Sequence, residues 1–184
     1  MASTGLAGSA QAAEPSPLPD QLVNSRDSVS SQYVEASSPE EADAILTQLE
    51  FSASSSSADS LETAAALSVR YGPCTLYPST VYLRASSNYG AVGAKPYTKC
   101  TVPVTSIKHS TDLRYKSFIW WRLATTKTGG NYGVASYTQK NVEYYCKSKE
   151  QSGWSGTTLG TIVYGGRTYY ARVYQAAVSL SCGG

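Results

Sequence analysis

The residues able to do chemistry are few. The chain has one histidine, His109, set in Lys108-His109-Ser110-Thr111-Asp112. A nucleophilic triad needs a nucleophile, a base and an orienting group whose side chains converge. Ser110, His109 and Asp112 are near neighbours pointing apart, so they do not build one. After residue 69 the only acids are Asp112, Glu143 and Glu150, which leaves little for paired-carboxylate hydrolysis. In an alternating stretch Glu143 suits a cross-strand partner for Lys or Arg better than a catalytic carboxylate. A small secreted ribonuclease would combine Glu, His and Arg, for which Glu143, His109 and Arg122 or Arg172 supply the types. The microbial guanyl-specific enzymes, however, place their histidine after the glutamate, and here His109 comes first. No enzymatic activity is therefore expected.

The four cysteines, Cys74, Cys100, Cys146 and Cys182, are widely spaced, with no CxxC pair. Structural zinc sites use closely spaced thiolates and imidazoles, so neither a metal nor another cofactor is expected. An even count in a small β domain points to disulfides and an oxidising compartment. Three pairings are possible, and locality favours Cys74–Cys100 with Cys146–Cys182.

Binding is better supplied than catalysis. Fourteen of the fifteen tyrosines and all three tryptophans follow residue 69, interleaved with basic residues. Such side chains give large contact areas at low entropic cost, and they stack on sugars. Within this segment Trp121, Tyr145, Trp154, Tyr170 and Arg172 are the candidate partner contacts. In the preceding segment the candidates are Leu22, Val23, Tyr33, Ile45, Leu46 and Leu49. The partners expected are other secreted proteins or a glycan, and not nucleic acid. No apolar run reaches the roughly 18–20 residues of a membrane span, so no membrane partner is expected.

These residues must be positioned by two unlike segments. Residues 1–69 hold ten acids and one base, net −9, and residues 70–184 hold fourteen bases and three acids, net +11. An acidic tail can fold back on a basic body or reach a basic partner. Residues 1–12 end in Ala10-Gln11-Ala12, like the close of a secretory signal peptide, but they lack its positive start and apolar run. They are expected to be the remnant of a signal and the protein to be extracellular.

Residues 13–69 form the acidic extension. Over 13–37 it is too poor in large apolar residues to offset ordering entropy, so disorder is expected. Ser38-Pro39-Glu40-Glu41 is a capping box, and Ala42, Ile45, Leu46 and Leu49 then make one apolar face, which predicts a helix over 39–51. It packs either on its own β domain or on another protein. A serine-rich linker over 52–60 and a second helix over 61–69 follow.

Residues 70–184 read as an all-β domain, a disulfide-stapled sandwich or small barrel. Val142, Tyr144 and Cys146 share one face of a strand, with Glu143 and Tyr145 on the other. Tyr169, Ala171 and Val173 likewise oppose Tyr170, Arg172 and Tyr174, and the two strands are expected to be partners. Gly165-Gly166 predicts a hairpin turn. Phe118-Ile119-Trp120-Trp121, the most apolar run, predicts a central strand. Gly129 to Gly133 and Gln151 to Gly153 predict loops, and Pro103 predicts an edge strand.

The pattern running from Cys74 through Lys99-Cys100, Trp120-Trp121-Arg122, Tyr144-Tyr145-Cys146, Trp154 and Gly165-Gly166-Arg167-Thr168-Tyr169-Tyr170-Ala171-Arg172-Val173 to Cys182 resembles small secreted proteins of soil actinobacteria. Among these it is similar to the small adaptor subunits of umbrella toxin particles. The resemblance covers about residues 70–184 in pattern and the tail in layout only. It implies a secreted, non-enzymatic connector. The disulfide-bonded domain would hold the repeat-built spoke of a large toxin, and the N-terminal strap would lie in a cleft of a lectin-bearing subunit. The two short helices expected before Cys74 depart from a simple strap.

Overall fold

A computed structural model describes residues 29–54, 69–147 and 151–181. The elements in chain order are β1 (Ser31–Glu35), α1 (Pro39–Ser54), β2 (Tyr71–Tyr77), β3 (Tyr82–Leu83), β4 (Ala91–Ala94), β5 (Tyr97–Ser117), β6 (Trp120–Thr138), β7 (Val142–Tyr145), β8 (Gln151–Tyr164) and β9 (Arg167–Ser181). The signal-like residues 1–12, Leu22, Val23, the helix expected over 61–69, Glu150 and Cys182 lie outside the described residues, apart from Val69 at the end of that helix.

The strands form an all-β barrel. The order β2-β1-β9-β8-β5 closes on itself through a β2–β5 pairing, and β6 runs along β5 as an additional strand. The ring closes because β5 is long. Its Tyr97–Cys100 stretch pairs with β2, and its Ser106–Tyr115 stretch pairs with β8. Pro103 falls in the gap between these two stretches, on a strand that is otherwise interior to the sheet. It lies where the β5–β6 register shifts between Lys99 and Val104, so its missing N–H breaks no ladder bond.

The ring encloses Tyr33, Leu76, Val104, Ile107, Ile162, Tyr169, Ala171 and Val173. The expected alternation of β9 holds, with Tyr169, Ala171 and Val173 in this core. Cys74 and Cys100 face each other across the β2–β5 pair and are disulfide-bonded. In the chain-entropy model, closing a loop of 26 residues contributes about 3.5 kcal/mol. Cys146 is also disulfide-bonded.

A second, three-stranded sheet, β3-β4-β7, covers the other end of the barrel. Val142 and Tyr144 on β7, and Cys146 just past its end, pack with Val92, Leu113 and Trp154, so this alternation holds too. The expected pairing of the two strands does not hold: β7 pairs with β4, whereas β9 pairs with β8 and β1. The Gly165-Gly166 hairpin joins β8 to β9, with both glycines at positive φ.

The extension is not separate from the barrel. Its residues 31–35 form β1, paired with both β2 and β9, and Tyr33 and Val34 are fully buried. Two large apolar side chains and two ladders of hydrogen bonds suffice to order a stretch whose composition predicts disorder. Helix α1 begins as expected. The Ser38 Oγ accepts the Glu41 N–H at 3.2 Å, and the Glu41 carboxylate accepts the Ser37 N–H at 2.8 Å. The helix packs on its own barrel, with Ala42 and Ile45 against Tyr170.

Removing residues up to Ala36 deletes β1 and opens the ring. The truncated chain is expected to lose its cooperative urea transition, monitored by circular dichroism beside the full chain. A truncated chain that still melts cooperatively would show that the barrel closes without β1.

Candidate functional site

A small ribonuclease would have to combine His109, Glu143 and Arg122 or Arg172. His109 is not in a loop. It sits on the inner face of β5 and is 2% exposed. Its Nε2 and the Tyr33 hydroxyl each hydrogen-bond the Thr98 Oγ1, both at 2.7 Å, and its ring meets Tyr137 edge-on. Burial lowers its pKa to about 4, and burial also raises that of Tyr33. Asp112 accepts from Thr126 at 2.6 Å and pairs with Arg114 at 3.3 Å.

Glu143 lies in the other sheet, 3.1 Å from Arg84. Hydrogen bonds from Tyr145 and Ser87, with Arg84 beside it, hold its carboxyl below the usual range. The expectation of a cationic partner therefore describes it well. Gly93, opposite Glu143 on β4, leaves the room in which the Arg84 stem lies. Arg172 projects from the outer face of β9, away from His109. Among the described residues no three His, Cys, Asp or Glu side chains gather as a metal site.

Most of the expected partner contacts are used inside the chain. Tyr33 fills the barrel, where Gly160 leaves room for its hydroxyl; a Cβ there would come within 2.2 Å of it. Leu46 is buried, while Ile45 and Leu49 are half-buried on α1. Trp154 is buried between Tyr115 and Tyr144, because the small sheet covers that end of β8. Tyr170 is buried beneath α1. Arg172, with only 8% of its side chain exposed, binds Thr47 at 3.0 Å, Glu50 at 3.3 Å and Asp43. The acidic extension thus folds back on the basic body. Of the eleven candidates, Tyr145 is exposed and Trp121 is half-buried at a surface.

The largest apolar exposure is where a central strand was expected. Phe118 and Ile119 are the turn of the β5–β6 hairpin, between the paired residues Ser117 and Trp120. Phe118 is 97% exposed, Ile119 71% and Trp120 60%, with Leu123 behind them. Phe118 has φ +55, the only positive value of the two turn residues. A two-residue hairpin turn of this kind favours glycine at its first position. A bulky side chain there costs about 1–2 kcal/mol. The β8–β9 hairpin of the same molecule uses glycine, so the aromatic at this tip is not required by the fold.

The tip is supported from behind. The last β5–β8 pair is Tyr115 with Trp154, and the hairpin continues beyond it. Gly153 has no side chain, so Lys116 and Trp121 approach within 3.3 and 3.6 Å of where its Cβ would stand. Beside the tip a groove of about 380 Å³ runs between the hairpin and β7, lined among others by Tyr115, Phe118, Tyr144 and Lys147. Trp121 was found from sequence by its type. Phe118, Ile119 and Trp120 were missed because an apolar run without Gly, Asn or Pro carries no turn signal.

No family model matches this chain, and no curated protein or solved structure matches it either.

The buried neutral state of His109 sets a pH dependence. With the folded pKa near 4 and the ordinary value at 6.5, folding favours the unprotonated ring. That contribution is complete above pH 6.5 and is lost as the pH falls from 6.5 towards 4. Urea denaturation is expected to show roughly 2 kcal/mol less stability at about pH 5 than at about pH 7.5, a slope absent in His109→Gln. Equal slopes in the two proteins would rule out a neutral buried ring.

Proposed function

We propose that this chain is a secreted, non-enzymatic connector that docks on one target through the tip of its β5–β6 hairpin. It takes a second, protein partner through the acidic segment preceding β1. The observation that carries the reading is the tip itself, three large apolar side chains held in solvent on a turn that glycine would form at lower cost. Exposed apolar groups concentrated at one point, rather than scattered singly, mark an interaction site. The disulfide supports an oxidising compartment. The second contact now rests on residues 1–28, with Leu22 and Val23 among them, because 31–51 are occupied with the barrel. The resemblance to the adaptor subunits of toxin particles agrees with a connector role.

Glycan binding is a second reading, favoured by a different feature. The outer face of β6-β5-β8 carries a shallow groove of about 410 Å³, lined by Lys108, Ser110, Thr128, Gly130, Tyr132, Leu159 and Thr161 among others. The exposed Tyr132 there could stack on a sugar ring. Retention on cell-wall polysaccharide that is lost in Tyr132→Ala would select this reading.

The connector reading is tested on the full chain, tagged at its C-terminus and recovered from the medium of secreting cells. Deleting residues 1–28 is expected to remove a stoichiometric protein partner. A Phe118→Gly/Ile119→Asn variant is expected to fold normally and lose a separate target. A wild-type chain that is monomeric and binds neither protein nor surface would overturn it.

A further inference from the structure

We infer that the target of the hairpin tip is an anionic lipid surface, an inference that rests on the docking reading above. The argument is from the order of side chains along the tip. Phe118, Ile119 and Trp120 come first, all exposed. Lys116 and Arg122 stand next, one on each strand, both exposed, and Lys147 borders the groove beside Phe118. No acid occurs anywhere between Asp112 and Glu143, and Asp112 is engaged with Arg114 and Thr126. The result is an apolar wedge with a cationic collar.

That arrangement matches a bilayer surface in depth as well as in charge. Phe, Ile and Trp side chains enter the boundary between headgroups and acyl chains, and aromatic rings prefer that boundary. Lys and Arg stems lie along the apolar region while their charges reach lipid phosphates, which attract them more strongly when the lipid is anionic. The wedge is convex, and its leading side chains Phe118 and Ile119 offer no hydrogen-bonding group. The point of the tip therefore asks of its target an apolar layer rather than directional hydrogen bonds. Docking of this kind needs no spanning segment. No helix among the described residues is long and apolar enough to cross a membrane.

Behind the tip the Trp121 ring packs close to β8, 3.6 Å from where a Cβ on Gly153 would stand.

The test is co-sedimentation of the full chain with vesicles of phosphatidylcholine alone or of phosphatidylcholine mixed with phosphatidylglycerol, with tryptophan emission followed in parallel. Binding is expected on the mixed vesicles, weakened by salt, with a blue shift from Trp120 entering the lipid. Phe118→Gly/Ile119→Asn suits the turn and is expected to weaken binding by roughly tenfold or more. Lys116→Gln/Arg122→Gln is expected to remove the preference for the anionic mixture. No binding at low salt, or equal binding by wild type and the turn variant, would overturn the inference. If vesicles fail but a secreted protein is bound in a Phe118-dependent way, the lipid inference falls and the docking reading stands. If both fail, both fall.

Discussion

The β2–β5 seam is the constraint on which the rest of the structure depends. A five-stranded barrel has little interior, and it is a barrel only if its last strand meets its first. Here the meeting is four residue pairs long, from Cys74–Cys100 to Tyr77–Tyr97. Four pairs of ladder alone would fray. The disulfide fixes one end, and the Tyr77 and Tyr97 rings stack at 4.6 Å at the other. Between them Thr98 turns inward to share hydrogen bonds with both Tyr33 and His109. One strand position thus ties β1, the seam and the middle of β5 together inside the core. Because β5 is held at the seam and again along β8, its far end can run past the barrel wall as a hairpin whose tip makes no contribution to the core.

How much of this was legible depended on whether a residue's reason lay nearby in the chain. The capping box of α1, the Gly165-Gly166 turn and the alternation of Val142, Tyr144 and Cys146 are local devices, and each is where the pattern put it. The disulfide between Cys74 and Cys100 was legible because those cysteines are close in sequence. Gly129 and Gly130 were not loop residues, since their reason is distant. A Cβ on Gly129 would meet the Tyr137 hydroxyl at 2.4 Å, and one on Gly130 the Ile107 carbonyl at 2.5 Å. They mark close packing within β6 rather than a turn. Likewise β1 has too few apolar residues to announce itself. Tyr33 and Val34 matter because β2 and β9 are waiting on either side.

The candidate site was hidden for the opposite reason. Phe118-Ile119-Trp120-Trp121 obeys the usual rule for a buried strand so well that nothing local argues against it. Only the register of β5 against β6 reveals that the chain reverses between Ser117 and Trp120. A position that breaks both the burial rule and the turn rule, with no compensating contact, is where function is to be sought.

The charge asymmetry resolves in the same way. Most of the basic excess was available to a partner on sequence grounds, but its uses differ by burial. Arg172 is enclosed, and its bonds to Asp43, Thr47 and Glu50 fix the seating of α1. Leaving that guanidinium enclosed without its acids would cost several kcal/mol, so helix and barrel are coupled through it. The half-exposed pair of Arg167 with Glu35, screened by solvent, serves only to trim the end of β1. Among the described residues of the extension, Glu35, Asp43 and Glu50 are thereby paired with arginines of β9 around α1. At the hairpin pole the acid nearest to Lys116 and Arg122 in the chain, Asp112, is engaged by Arg114 and Thr126. The arginines of β9 are thus held by the acids of β1 and α1, whereas Lys116 and Arg122 stand exposed beside the apolar tip.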